Sequence, residues 1–295
     1  MNPTFATPPT FLGTLRTDPD ARFVVAGIPY DIGTTNRAGT RFGPAAIRSA
    51  SRMLVDGVNP WHWTSPAALD LADIGDFEIR LGDIAESLRL IEARAAAVTG
   101  HLVALGGDHT VALPLLRALS RRTGPLGLVH FDAHVDTWPD SFGQPMGHGS
   151  VFYHAIEEGI VDPRRMIQVG IRSPVGRDVW DWTVERGVTI LPAEECHRLG
   201  VDGVVERIRR VVGAGATYLT FDIDAIDPSQ APGTGTPEIG GLWTWQAQAI
   251  LRRLGGIDWR GMDIVEVSPP YDTAEITALA AATFTFEYLS LFRPD

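Results

Sequence analysis

Three short stretches of the chain concentrate the residue types that hold cations and move protons. Gly106-Gly107-Asp108-His109-Thr110 follows an apolar run ending at Leu105. His130-Phe131-Asp132-Ala133-His134-Val135-Asp136-Thr137 follows Leu128-Val129, and Phe221-Asp222-Ile223-Asp224-Ala225-Ile226-Asp227-Pro228 follows Tyr218-Leu219-Thr220. In a continuing strand, Asp132, His134 and Asp136 at i, i+2 and i+4 would point to one face. Two carboxylates and an imidazole crowded there repel one another or lie desolvated, and a cation is the direct remedy. Asp222 and Asp224 repeat the spacing, and His109 adds a second imidazole. The set is four carboxylates and two ring nitrogens, without cysteine. Six ligands exceed what one catalytic ion takes from protein, so two ions sharing carboxylates is the economical count. Oxygen-rich ligation disfavours structural zinc and suits Mn²⁺, with Mg²⁺, Co²⁺ or Fe²⁺ also compatible. A lone histidine or an Asp-x-Asp is ordinarily a cap, a turn or a surface pair. Three such clusters at three expected strand ends reverse that reading.

These ends belong to a regular alternation. Strands are expected at Phe23–Ile28, Leu69–Ile74, His101–Leu105, Leu126–Phe131, Met166–Ile171, Val188–Leu191, Tyr218–Ile223 and Gly261–Val267. Helical segments are expected at Pro44–Leu54, Ile84–Val98, Val111–Ser120, Gly149–Glu158, Gly176–Glu185, Val201–Val212, Trp243–Arg253 and Ile276–Leu291. Strands alternating with helices imply βαβ units and a mostly parallel sheet. The pattern alone fits a closed barrel or an open three-layer sandwich, and both place their sites at the carboxyl ends of strands. With no linker or low-complexity segment, the 295 residues read as a single domain, residues 1–20 forming an extended N-terminal arm.

Composition narrows the partners. Lys+Arg total 25 and Asp+Glu 36, a net charge of 25 − 36 = −11, which argues against nucleic acid or an anionic membrane. Hydrophobic content of 44% with 21% charged residues belongs to a soluble globular chain. No apolar run approaches a membrane span, and the N-terminus lacks a signal-peptide pattern. The single cysteine, Cys196, has no partner for a disulfide or a redox pair, which fits a reducing cytoplasm. Gly39-Thr40-Arg41-Phe42-Gly43-Pro44 lacks the lysine of a phosphate loop and reads as a turn entering a helix at Pro44. Gly213-Ala214-Gly215 precedes a strand and is no dinucleotide fingerprint. Trp61, Trp63, Trp138, Trp180 and Trp182 read as packing or interface residues, with Trp138 placed best to line a pocket mouth. His130 reads as a buried, hydrogen-bonded residue.

The motifs Gly106-Gly107-Asp108-His109-Thr110 and Asp132-Ala133-His134-Val135-Asp136, with the stretch from Phe221 to Gly241, resemble those of the ureohydrolases, the family of arginase, agmatinase and the guanidino-acid hydrolases. The resemblance runs from Gly39 to Leu279, and Val265-Glu266-Val267-Ser268-Pro269-Pro270-Tyr271-Asp272 is similar to the agmatinase branch. It implies an open α/β/α sandwich around a mostly parallel sheet of about eight strands. It implies that His109, Asp132, Asp136 and Asp222 bind one Mn²⁺ and that Asp132, His134, Asp222 and Asp224 bind the other. Asp132 and Asp222 would then bridge.

The chemistry implied is attack on a guanidinium carbon by a hydroxide bridging the two ions, which lower the pKa of bound water from 15.7 to about 7. Asp136 would also aim that hydroxide, Glu266 would hold the guanidinium, and His148 in Met146-Gly147-His148-Gly149-Ser150 would shuttle a proton to the departing amine. The expected substrate is agmatine, cleaved to putrescine and urea. The alternative is a guanidino acid, 4-guanidinobutyrate or 3-guanidinopropionate. Asp140, Ser141 and Gln144 in the loop Trp138–Gly147, which has no Lys or Arg, lean towards a cationic tail, although Arg172 or Arg177 could reach in. A non-catalytic metal-binding relative or another di-metal hydrolase is the remote reading. A two-metal phosphoesterase would need cations at the motifs. The resemblance further implies a homo-oligomer, a trimer or hexamer.

Overall fold

The computed structural model describes residues 6–54 and 58–294. Its strands are β1 (Phe23–Gly27), β2 (Leu71–Asp76), β3 (His101–Leu105), β4 (Leu126–Phe131), β5 (Val161–Ile171), β6 (Thr189–Pro192), β7 (Thr217–Asp222) and β8 (Trp259–Val265). They form one eight-stranded sheet in the order β2-β1-β3-β8-β7-β4-β5-β6, and every neighbouring pair is parallel. The helices are α1 (Gly43–Ser51), α2 (Ile84–Ala97), α3 (Ala112–Thr123), α4 (Val151–Glu157), α5 (Arg177–Glu185), α6 (Ala193–Val212), α7 (Thr244–Leu251) and α8 (Ile276–Leu289).

A parallel sheet needs crossover helices, and these cover both faces, so its strands read as continuous apolar runs. Alternate strand residues show the two covers. Phe23 and Val25 pack in one cluster with Ile47 of α1, Val204 of α6, Ile250 of α7 and Phe284 of α8. Val24 and Ala26 face the other way, towards Ile91 of α2 and Leu115 of α3. Leu128 and Met166 continue that second face against Phe152 of α4. Ile171 meets Val179 of α5 there. The result is the expected three-layer α/β/α sandwich, open at β2 and β6.

Most element bounds fall within three residues of the sequence expectation, and two depart further. β5 begins at Val161, ahead of the expected Met166, because Leu126 pairs with Val161 before a register shift that brings Leu128 to Met166. α6 begins at Ala193, ahead of the expected Val201, as two segments joined at Gly200, whose φ of +67° interrupts helical periodicity. In the N-terminal stretch, Phe11 and Leu12 are buried in a short 3-10 turn, and Phe11 N–H donates to Asp73 Oδ2 at 2.7 Å.

β3, β8, β7 and β4 are neighbours at the middle of the sheet. Because they run parallel, their carboxyl ends open on one edge, and the polar motifs all follow these ends. Among the described residues, no helix is long and apolar enough to cross a membrane.

Candidate metal centre

Asp132 and Asp136 do not continue β4, which ends at Phe131. The one-face strand geometry expected for Asp132, His134 and Asp136 is therefore corrected: the chain turns instead. Asp132 Oδ1 accepts a hydrogen bond from His134 N–H at 2.6 Å, an Asx-type turn that swings the histidine back beside it. The same device follows β7, where Asp222 Oδ1 accepts from Asp224 N–H at 2.9 Å. Asp224 Oδ1 then accepts from Ala133 N–H at 3.0 Å, tying the two motif loops together. Asp136 lies at φ +48°, a conformation unfavourable for a residue with a Cβ and held by its surroundings.

Two imidazoles organise the carboxylates. His109 Nδ1 lies 3.1 Å from Asp132 Oδ2, 3.0 Å from Asp136 Oδ2 and 3.3 Å from Asp222 Oδ2. His134 Nδ1 lies 3.3 Å from Asp132 Oδ1 and 3.1 Å from Asp224 Oδ2. Asp132 thus belongs to both groups through different oxygens. All six residues gather at one place, and every one except His134 is buried.

The donors fit divalent cations. His109 Nδ1 is buried and makes no hydrogen bond despite the three carboxylates facing it. Its other nitrogen, Nε2, lies 2.8 Å from Thr220 Oγ1, and Thr220 O–H donates to Asp263 Oδ1 at 2.6 Å. Thr220 has spent its proton on Asp263, so Nε2 carries the ring's hydrogen and Nδ1 presents a lone pair to the centre. A lone pair and three carboxylate oxygens converging in a buried space could hold a cation.

Electrostatics agree. Burial works against charge on His109 and His134, yet the surrounding carboxylates hold both rings well above the ordinary imidazole range. Burial, with the charges of Asp224 and Asp132, pushes Asp222 well above the carboxylate range. Crowded carboxylates of this kind favour positive charge among them, which a bound cation would supply.

His130 belongs to the supports. Its Nε2 lies 2.7 Å from Asp132 Oδ2 and its Nδ1 3.2 Å from Gln168 Nε2, so both ring nitrogens are occupied. Although it lies within reach of His109, Asp132 and Asp136, it orients a carboxylate, as its sequence position suggested.

Beside the cluster lie His148 and Glu266. Glu266 directly follows β8 at φ +62°. Its Oε1 accepts from His109 N–H at 2.8 Å and lies 3.0 Å from His148 Nδ1, while buried Oε2 has no partner. His148 opens a 3-10 turn before α4, fixed by Ser150 Oγ accepting from Gly147 N–H at 3.0 Å. Burial opposes charge on its ring, but the hydrogen bond and charge of Glu266, with Asp136 and Asp108 beyond, raise its pKa from 6.5 to about 9. Asp108 itself is pushed up to about 7 by burial and by Glu266.

The cluster forms the floor of a cleft of about 460 Å³. Trp138 lines it, together with Thr35, Asp140, Ser141, Phe142 and Pro174. Phe142 is 95% exposed. The two arginines considered from sequence are committed elsewhere. Arg172 donates to backbone carbonyls of Asp224, Gly170 and Glu238, at 2.7, 3.1 and 2.6 Å, and Arg177 pairs with Asp181 on the surface at 2.7 Å. Cys196 is buried and its thiol pushed up to about 12, mainly by burial, which leaves no nucleophile there.

Sequence reasoning passed over Thr35, Thr220, Asp263 and Gln168. For the last three a signal existed: each is a polar residue with apolar neighbours on both sides in a strand of a sheet covered on both faces, and each is fully buried. Thr35 sits in an ordinary polar loop and gave no signal.

Comparison with known proteins gives the family. The arginase family model matches residues 21–290. A guanidinobutyrase of Pseudomonas aeruginosa is 45% identical over 92% of this chain and 85% of its own length. An agmatinase of Photorhabdus laumondii is 44% identical over 92% of this chain and 87% of its own. The structure of a proclavaminate amidino hydrolase from Streptomyces clavuligerus superposes with a TM-score of 0.92 at 38% identity, covering 98% of each chain. The chain belongs to the arginase family.

Proposed function

We propose that this protein is a binuclear ureohydrolase that cleaves agmatine to putrescine and urea, with Mn²⁺ the ion its oxygen-rich donors suit best. The observation that carries the reading is the buried convergence of His109 Nδ1 on Asp132, Asp136 and Asp222 beside the unpartnered Oε2 of Glu266. His109, Asp132, Asp136 and Asp222 would hold one ion, and Asp132, His134, Asp222 and Asp224 the other. Bound there, two dications supply hydroxide near neutral pH from a water that otherwise ionises at 15.7.

The remaining work falls to side chains. Glu266 Oε2, buried and negatively charged, accepts from the guanidinium nitrogens and sets the carbon over the carboxylate cluster. Asp136 accepts a hydrogen bond from the attacking oxygen and fixes its direction. Collapse of the tetrahedral adduct expels an alkylamine, whose conjugate acid has a pKa near 10.4 by analogy with lysine, so it must leave with a proton. His148 supplies it. With ions bound, the charge that Glu266 favours on the ring would be opposed, which would help it both accept and donate.

The tail is read from the cleft. The chain contains no lysine, and among the described residues no arginine lines the cleft. Trp138 and Phe142 give an apolar passage with Asp140 at hand, which favours an ammonium end over a carboxylate. Similarity to a guanidinobutyrase, equal to that with an agmatinase, supports 4-guanidinobutyrate as the second reading. The one continuous sheet supports a single working domain, and exposed Trp61, Trp63 and Trp245 support a homo-oligomer.

Urea release from agmatine, 4-guanidinobutyrate, 3-guanidinopropionate and arginine, offered side by side to Mn²⁺-loaded protein, tests this. Agmatine should give the highest kcat/KM. A preference for either guanidino acid would overturn the tail assignment while leaving the chemistry intact.

A further inference from the structure

The loop from Asp31 to Gly39 is pinned where it passes the cleft. Gly33 N–H donates to Asp108 Oδ2 at 2.9 Å, and Gly33 O accepts from His148 N–H at 3.2 Å. Gly39 N–H donates to Asp31 Oδ2 at 3.1 Å, and Asn36 Nδ2 donates to Gly235 O at 3.0 Å. These bonds set Thr35 against the ring nitrogen of His148 that Glu266 does not touch. Thr35 Oγ1 lies 2.7 Å from His148 Nε2, and Thr35 N–H donates to the same nitrogen at 3.2 Å. His148 is 9% exposed and Thr35 is exposed, and both line the cleft.

The two Thr35 groups answer different states of the ring. With Nδ1–H directed to Glu266, neutral His148 presents a lone pair at Nε2, and both the backbone N–H and the hydroxyl satisfy it. Charged His148 has a hydrogen on Nε2, which needs an acceptor. A backbone N–H cannot accept; a hydroxyl can, after rotating about its C–O bond. Only Oγ1 follows the ring through both states, and it belongs to an exposed residue on the wall of the cleft.

We propose that Thr35 Oγ1 is the proton bridge between His148 Nε2 and the cleft. As the C–N bond of the substrate breaks, the hydroxyl proton of Thr35 passes to the departing amine nitrogen. The proton on His148 Nε2 passes to Oγ1, the hydroxyl is restored, and the ring is left neutral. The adduct's own O–H proton, released as the urea carbonyl forms, passes to the amine, which leaves as its ammonium ion. The ring regains its proton from the next water to ionise, so guanidinium and water become urea and ammonium with no net change in protons. This inference rests on the reading of His148 as the proton donor.

The test is kcat, KM and Mn²⁺ content with agmatine for Thr35→Val, Thr35→Ser, His148→Asn and the double variant Thr35→Val/His148→Asn. Valine keeps the β-branched shape and the backbone N–H and removes only the hydroxyl. Thr35→Val should lose about tenfold or more in kcat, within the range of general acid catalysis, with KM and metal content unchanged. Thr35→Ser should restore most of that loss, and Thr35→Val should cost nothing further in the His148→Asn background. Wild-type kcat in Thr35→Val, a Thr35→Ser as impaired as Thr35→Val, or fully additive losses in the double variant would each overturn the bridge. Should the valine variant not fold, Thr35→Ala provides the same comparison. An unchanged rate in His148→Asn would overturn the reading of His148 itself; an impaired His148→Asn beside an intact Thr35→Val removes only the bridge.

Discussion

Glu266 Oε1 stands 3.0 Å from His148 Nδ1, while the other oxygen of the same carboxylate is buried without a partner. One side chain thereby has one oxygen engaged with the ring and one free, and on the proposed function the free Oε2 receives the guanidinium. The strained φ of +62° at Glu266 is consistent with this, since it places the carboxylate off the end of β8 between His109 and His148.

Glu266→Gln keeps the shape and removes the charge. Charge-assisted hydrogen bonds contribute about 1.5–3 kcal/mol each, so kcat/KM for agmatine should fall by about 100-fold. Steady-state kinetics on folded, metal-loaded variant protein measures this, and an undiminished kcat/KM would contradict the pairing.

His148→Asn should lower kcat by about 100-fold with metal content intact, the lower part of the range for a positioned acid. Parallel metal analysis separates the two effects. An unaltered rate, or a loss of activity explained entirely by lost metal, would remove His148 from proton transfer.

The ring of His148 also links pH to stability in metal-free protein. Its pKa rises from 6.5 to about 9 on folding, through the bond to Glu266 working against burial. A proton bound more tightly in the folded state stabilises it fully below 6.5, and that contribution is lost as pH climbs through about 9. The Tm advantage of metal-free wild type over His148→Gln should shrink across this window. A difference that stays constant from pH 6 to 9.5 would contradict the coupling.

Thr220 and Asp263 set which nitrogen of His109 faces the carboxylates. Thr220→Val or Asp263→Asn should weaken Mn²⁺ binding by about 10- to 100-fold, the usual effect of losing an outer-shell partner. Competitive chelator titration reads the affinity directly. Wild-type affinity in both variants would show that the tautomer is fixed by other means.

The layers of the fold were legible because the physics is repetitive. Eight short strand-like runs and eight helical segments alternate, and the strands of a doubly covered sheet are recognised by their predominantly apolar character. The misplaced starts of β5 and α6 have local causes, a register shift and a left-handed Gly200, which periodicity cannot register. The histidines and carboxylates that converge were legible by type, but the reason for their convergence was not. Two successive carboxylates on a strand suggest one face, whereas Asp132 and Asp222 each cap a turn two residues on and draw their neighbours round. Long-range partners were least visible: nothing local to Thr35 announces His148, 113 residues away in the chain.

The central claim is that two ions held by this cluster are needed for urea release. Metal-free protein titrated with Mn²⁺, with bound ions per chain and urea release from agmatine measured on the same samples, tests it most directly. Activity should approach its maximum as occupancy reaches two ions per chain. Saturation at a single ion, or full occupancy without urea from agmatine or any guanidino acid, would contradict the account.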